Sequence, residues 1–137
     1  MSSKKIFVNL PVKDLERSMA LFTALGFTLN PQFSNDLAAC MVWSEDIYAM
    51  LLTHQHFAPF TPKPIADATR GTEVIVALSL ESREEVTRLV EAAIANGGKR
   101  YADPKDHGFM FQWGFEDLDG HIWELFWMDP NAAPPQR

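Results

Sequence analysis

Near its C-terminus the chain runs Asp117-Leu118-Asp119-Gly120-His121-Ile122-Trp123-Glu124-Leu125. This is a tight acidic turn followed by a strand. Asp-Gly is a strong turn signal, because glycine takes the positive φ that other residues resist. From Ile122 to Trp127 every residue except Glu124 is apolar. A buried carboxylate without a partner is costly, so Glu124 needs an ion pair, a metal or a chemical role. Desolvation would raise its pKa toward the range useful for proton transfer, which makes it a candidate acid or base. The competing reading is a structural pairing with an arginine, a tryptophan N–H or a backbone group.

The other reactive side chains are fewer and more scattered. His54 and His56 form a two-ligand metal clip if the strand before them runs on, and a surface loop pair if it does not. His121 follows the turn glycine, where structural hydrogen bonding competes with function. Cys40, between Ala39 and Met41, lacks the neighbouring base that would make a thiolate and reads as a small buried hydrophobe. No glycine-rich phosphate loop, no Gly-x-Ser-x-Gly nucleophile elbow and no cysteine pair for zinc is present.

Positioning these groups falls to a weak internal repeat. Ile6 to Leu10 is a short apolar strand, after which Asp14 opens a helix that closes at Gly26. Val74 to Leu80 is a second such strand, after which Ser82 opens a helix that closes at Gly97-Gly98. The copies are offset by roughly 70 residues, long enough for each to be half a domain. Leu15, Met19, Phe22 and Leu25 make one apolar stripe on the first helix. Ser82 and Glu85 form a capping box on the second, followed by Val86, Leu89, Val90, Ala93 and Ile94 at helical spacing. Strands are expected over 28–33, 38–43 and 47–53 in the first half and over 99–102, 109–115 and 122–127 in the second. The proline-bearing stretch 54–72 reads as a surface linker, partly a lid, and the tail from Asp129 should fray. Eight strands with only two helices exclude a doubly wound parallel sheet, which needs a crossover helix after nearly every strand. The alternative is an α+β domain of paired β-α-β-β-β modules, two curved mixed sheets facing each other with the helices on their outer surfaces.

Length and charge bound the rest. The 137 residues suit one domain over 1–137: module one at about 4–53, the linker 54–72, module two at about 73–128 and the tail 129–137. A net charge of −6 disfavours nucleic acid and anionic membrane surfaces, which want clustered lysine and arginine. No apolar run reaches the length of a membrane span or a secretory segment, and the single cysteine fits a reducing compartment, so a cytoplasmic location is expected.

The doubled module resembles the vicinal oxygen chelate superfamily of glyoxalase I, bleomycin-resistance proteins and extradiol dioxygenases. The residues that carry the likeness are Phe7-Val8-Asn9-Leu10-Pro11-Val12-Lys13-Asp14-Leu15-Glu16-Arg17-Ser18, Leu25-Gly26-Phe27 and Asp119-Gly120-His121-Ile122-Trp123-Glu124. Gly108-Phe109-Met110 and Trp127-Met128-Asp129-Pro130 look closest to the predicted lactoylglutathione lyase-like branch. The resemblance implies a cup-shaped eight-stranded mixed sheet, a homodimer, and a divalent metal in the cup on four side chains. Those come from the first and last strand of each half and fall here on Phe7, Leu51, Ile75 and Glu124. Only Glu124 keeps a ligand, because Phe, Leu and Ile supply no donor to a divalent ion. The expectation is therefore no cofactor, with a small apolar or aromatic molecule held against Glu124. Strand parity puts Phe7 with Asn9 and Glu124 with Ile122 and Phe126. Asn9 would donate to the ligand, Leu51, Ile75 and Phe126 would line the cup, and His107 would sit at its mouth unless it is a turn residue. Phe109, Phe111, Trp113 and Phe115 share one face, lining the cup or packing on a helix. The alternatives are a metal-dependent lactoylglutathione lyase-like or extradiol dioxygenase-like enzyme that recruits His54, His56 or His107 beside Glu124, and a non-catalytic scaffold with a closed cup.

Overall fold

Side-chain caps fix where the two long helices begin. The computed structural model describes residues 4–132, and the last residues of the proline-bearing tail, 133–137, lie outside the described residues. Helix α1 spans Leu15–Ala24, and the Asp14 carboxylate accepts the Arg17 backbone N–H at 3.1 Å. The next long helix, Arg83–Ala95, is capped by the Ser82 hydroxyl, which accepts from the Glu85 N–H at 3.1 Å. The Glu85 carboxylate answers the Glu81 N–H at 3.0 Å, one residue earlier than a simple capping box would have it. Both helices give way to glycines in the left-handed region, Gly26 at φ 107° and Gly97 at φ 102°, which closes the turn without a Cβ clash.

The first module contributes β1 (Ile6–Val12), β2 (Thr28–Asn30), β3 (Ala38–Val42) and β4 (Ile47–Thr53), in the spatial order β1-β4-β3-β2. The second contributes β5 (Ile75–Ser79), β6 (Lys105–Asp106), β7 (Met110–Glu116) and β8 (Ile122–Met128), in the matching order β5-β8-β7-β6. The first and last strands of each module pair in parallel and the other pairs are antiparallel. The α+β class and the doubled β-α-β-β-β order are thus as the sequence indicates, with the eight strands divided between two four-stranded mixed sheets.

Four local expectations need correction. Strand β2 stops at Asn30, because Pro31 has no N–H for a ladder, and residues Pro31–Phe33 form a 3-10 turn capped by Asn30. The expected strand over 99–102 reduces to one bridge, Lys99 to Glu116, and the ladder strand is the two-residue β6 beyond Pro104. The linker opens with a short helix α2 (His54–Phe57), whose Thr53 hydroxyl accepts the His56 N–H at 3.3 Å. Asp129, placed in the fraying tail, instead donates its N–H to the Phe109 carbonyl at 2.8 Å.

With α3 denoting Arg83–Ala95, one face of each sheet packs on the helices. In module one that face carries Leu10, Val12, Ala39, Met41, Ala49 and Leu51. In module two it carries Leu78, Trp113, Phe115, Trp123 and Leu125, and all eleven are buried. They form a single core with Leu21 and Phe22 of α1 and Val86, Leu89, Val90 and Ala93 of α3. The helices are not separate outer layers as the sequence suggested. α1 touches α3, and the Phe22 ring of module one packs edge-on against Trp123 of module two with centroids 5.1 Å apart. An amphipathic helix needs a cover for its whole stripe, and each helix supplies part of the other's.

The acidic turn also ties the modules together. Asp119 accepts the Lys13 N–H at 2.9 Å, and the His121 Nε2 lies 2.9 Å from the Pro11 carbonyl. Gly120, at φ 89°, seats against the linker, where a Cβ would come within 2.8 Å of the Ala68–Thr69 backbone. No helix among the described residues is long and apolar enough to cross a membrane.

Candidate functional site

Strand alternation leaves the second face of each sheet open. In module two Glu124 stands on that face of β8, paired in register with Ala77 of β5 and Gly114 of β7. Ala77 is exposed and Glu124 is half-buried. Among the described residues the carboxylate has two donors, neither of them a cation. The Tyr101 hydroxyl donates to its Oε2, and the Gln112 amide Nε2 lies 3.4 Å from its Oε1. Gly114 is what lets them meet. A Cβ at that position would overlap the Glu124 carboxylate and stand 2.5 Å from both the Tyr101 hydroxyl and the Trp123 carbonyl. Glycine in a strand interior commonly marks such a close approach.

Tyr101 and Gln112 were not among the side chains that the sequence singled out. Gln112 is two residues from Gly114, and strand parity puts it on the Glu124 face. Tyr101 lies in the irregular segment between α3 and β6, where no period applies. Burial, and then the hydrogen bond to Glu124 and the charges of Glu124 and Glu116, push its phenol well above the ordinary tyrosine range. At neutral pH Tyr101 is therefore a protonated donor.

Of the remaining sequence candidates, Ile75 and Phe126 share the Glu124 face and the others lie elsewhere. Phe7 lies on the open face of module one, 47% exposed, and stacks on Tyr48 with centroids 4.4 Å apart. Asn9 is exposed on the same face, with its amide donating to the Phe7 carbonyl at 3.2 Å. Leu51 is a correction: it is fully buried on the helix side. The parallel register pairs Leu51 with Leu10 and pairs Asn9 with Met50, just as Ala77 pairs with Glu124. The counterpart of Glu124 in module one is thus Met50. Ile75, 55% exposed, and Phe126, half-buried, share the Glu124 face. Glu116 of β7 shares it too, so Glu124 is not the only carboxylate there.

His107 is exposed in the turn between β6 and β7, its ring tilted against Phe109 at 6.2 Å and its N–H donating to the Met110 carbonyl. His54 is exposed at the start of α2, and His56 packs edge-on against Phe60 at 5.8 Å. The aromatic strand is settled: Trp113 and Phe115 are in the helix-side core, and Arg83 caps Phe111 and Trp127 at 5.7 and 5.1 Å. Cys40 is buried, and burial pushes its thiol up.

Divalent-metal chemistry has two places to be tested. The positions carried over from the resemblance hold Phe7, Ile75 and Glu124, with Met50 for Leu51 by register. That set offers one carboxylate and one thioether, and does not fit a hard or borderline divalent ion. Elsewhere, ligand-type atoms of Asp117, Asp119 and His121 lie within 4.8 Å of one another. Their hydrogen bonds describe a turn. Asp117 Oδ1 accepts the Asp119 and His121 N–H groups at 3.0 Å each, and its Oδ2 accepts the Trp123 indole N–H at 3.1 Å. Burial pushes the Asp117 carboxyl above the usual range, opposed by the His121 charge and these donors.

Comparison with known proteins agrees with this architecture. Residues 4–43 match the family model described as bleomycin resistance protein-like, N-terminal. A hypothetical protein of S. aureus has 29% identity and a TM-score of 0.75, over 92% of this chain and 94% of its own. A glyoxalase/bleomycin resistance protein/dioxygenase from Nocardioides has 26% identity and a TM-score of 0.71, over 100% and 91%. The fosfomycin resistance protein FosX of Listeria monocytogenes, at 20% identity and a TM-score of 0.66 over 100% and 97%, shares the fold. No curated protein matches the chain in sequence.

Proposed function

We propose that this member of the vicinal oxygen chelate superfamily, the group of glyoxalases, bleomycin-resistance proteins and dioxygenases, binds a small apolar or aromatic molecule against Glu124 without the superfamily's complete metal site. The observation that carries the reading is the Glu124 carboxylate on the open face of β8, held by a phenol and an amide rather than by a cation. Apolar Ile75, Ile122 and Phe126 surround it on that face. An acceptor anchored among apolar walls is the usual composition of a small-molecule site. In turnover, Glu124 would accept a proton from the bound molecule or hold one of its N–H or O–H groups.

Two open half-sites make a dimer part of the proposal. Ile6 and Phe7 of module one and Val74 and Ile75 of module two are 47–62% exposed. Such apolar residues at the free edges of two sheets favour cover by a second copy, which would turn open faces into a cup. A cytoplasmic location and the absence of nucleic-acid or membrane partners remain part of the same proposal.

The test is elemental analysis of protein purified without a histidine tag, joined to fragment-binding NMR with a panel of small aromatic molecules. The expected outcome is far less than one equivalent of zinc, nickel, manganese or iron, and fragment binding that disappears in Glu124→Gln while thermal stability is unchanged or raised. Near-stoichiometric metal that is lost in Glu124→Ala would establish the metal-dependent lyase or dioxygenase reading instead. No fragment binding, with no cavity between the sheets of the assembled protein, would leave the scaffold reading.

A further inference from the structure

We propose that Tyr101 is a positioning residue of this site, fixing the Glu124 carboxylate over Gly114 together with Gln112 so that its β5 side stays free for a ligand. The inference rests on the reading of Glu124 as the ligand-facing group.

The segment that carries Tyr101 is built to hold it still. On one flank, Lys99 and Glu116 exchange both backbone hydrogen bonds at 2.9 Å, a closed bridge to β7. On the other, the Trp113 indole N–H donates to the Ala102 carbonyl at 2.9 Å. Arg100 adds a 2.6 Å contact with Asp103 and lies over the Trp113 ring at 5.3 Å. Tyr101 therefore sits between two anchors on the same strand that provides Gly114 and Gln112. Irregular backbone pinned at both ends is costly to order and has little packing to gain here, since Tyr101 remains 39% exposed. What the pinning achieves is delivery of one hydroxyl to one carboxylate.

The consequence for Glu124 is geometric. A lone glutamate has three rotatable bonds and loses much of that freedom only when its oxygens are held. Tyr101 occupies Oε2 and Gln112 reaches toward Oε1, both from the β7 side. On the β5 side the register neighbour is the small, exposed Ala77, followed by exposed Ser79. The carboxylate is thus supported on one flank and uncovered on the other, the arrangement a preorganised acceptor needs. Because the phenol stays protonated, the pair has a fixed sense: tyrosine donates and glutamate accepts.

The chain has two tyrosines, Tyr48 and Tyr101, which makes a spectroscopic test clean. Label both at the phenolic carbon with 13C and record NMR spectra at constant neutral pH. Tyr101→Phe identifies which resonance is which by its disappearance. In Glu124→Gln the Tyr101 resonance should shift while the Tyr48 resonance, on the other module, stays in place. Conversely, with 13C-labelled glutamate carboxyls, Tyr101→Phe should shift the Glu124 signal, identified by its loss in Glu124→Gln. Phenylalanine keeps the ring packing, so a tyrosine that only packs, without bonding the carboxylate, would leave that signal unmoved.

A Tyr101 resonance indifferent to Glu124→Gln, with a Glu124 resonance indifferent to Tyr101→Phe, would overturn the proposal. If both tyrosine signals move in Glu124→Gln, the Tyr101→Phe experiment decides alone. No ligand enters these measurements. A positive result alongside failed fragment binding would therefore retain Tyr101 as the group that places Glu124 and remove the ligand reading.

Discussion

The two modules share a strand order, a parallel first-to-last pairing and a capped helix, yet their open faces have little in common. Module one presents Phe7 stacked on Tyr48, with Asn9 bonded to its own strand and Met50 in register beside it. Module two, at the equivalent places, presents Ile75, Ala77 and Glu124, and adds Tyr101 and Gln112 as donors. The helix sides, by contrast, merge into one core. Duplicated topology constrains the side that must be buried, because a core tolerates only shapes that fill it. It leaves the open side free to diverge, and here chemistry has gathered on one copy.

The comparison can be broken most severely at the core. Trp123 faces Phe22 and Phe27 of the other module and donates to buried Asp117. Trp123→Ala should cost about 3–5 kcal/mol in chemical denaturation. If the modules were independent, the same variant would instead produce two separate transitions. A smaller effect is expected at the open face of module two. Gly114→Ala should cost about 1–3 kcal/mol, with loss of the Glu124 alignment visible in the carboxyl spectrum, because the new methyl would meet both the carboxylate and the Trp123 backbone.

The smallest expected effect is a pH dependence located at the turn that joins the modules. The folded-state pKa of Asp117 is raised by burial, above the roughly 3.9 of an unfolded aspartate. Its contribution is then fully present below that unfolded value and is lost as pH rises through the folded-state pKa. Measured as the difference in unfolding free energy between the native chain and Asp117→Asn, stability should move in favour of the native chain as pH falls from 7 to about 4. A difference that is flat with pH would show the carboxyl to be solvated.

Much of this architecture can be read from residue order. Asp14 and Ser82 mark helix starts by local chemistry, and Gly26 and Gly97 mark their ends by a conformation that other residues avoid. What residue order handles badly is register across strands distant in the chain. The resemblance carries the fourth-strand position onto Leu51, whereas the register puts it at Met50, and in a strand one position is the difference between core and open face. Pairing with β1 settles it, and that pairing joins segments some forty residues apart by tertiary contact. The candidate site was legible at Glu124, whose charge is conspicuous in an apolar strand, and at Ile75 and Phe126, which strand parity puts on the same face. Tyr101 was missed for a different reason: its segment reads as a strand over 99–102 but makes only one bridge, and the two anchors on β7 give its hydroxyl a direction.

The shared core has one more consequence. Because α1, α3 and Trp123 interlock across the halves, the exposed stretch around Lys63–Pro64 carries backbone continuity more than cohesion. A chain nicked there would be expected to remain one particle, its two fragments clasped by the common hydrophobic surface and by the bonds of Asp119 and His121 to the first fragment.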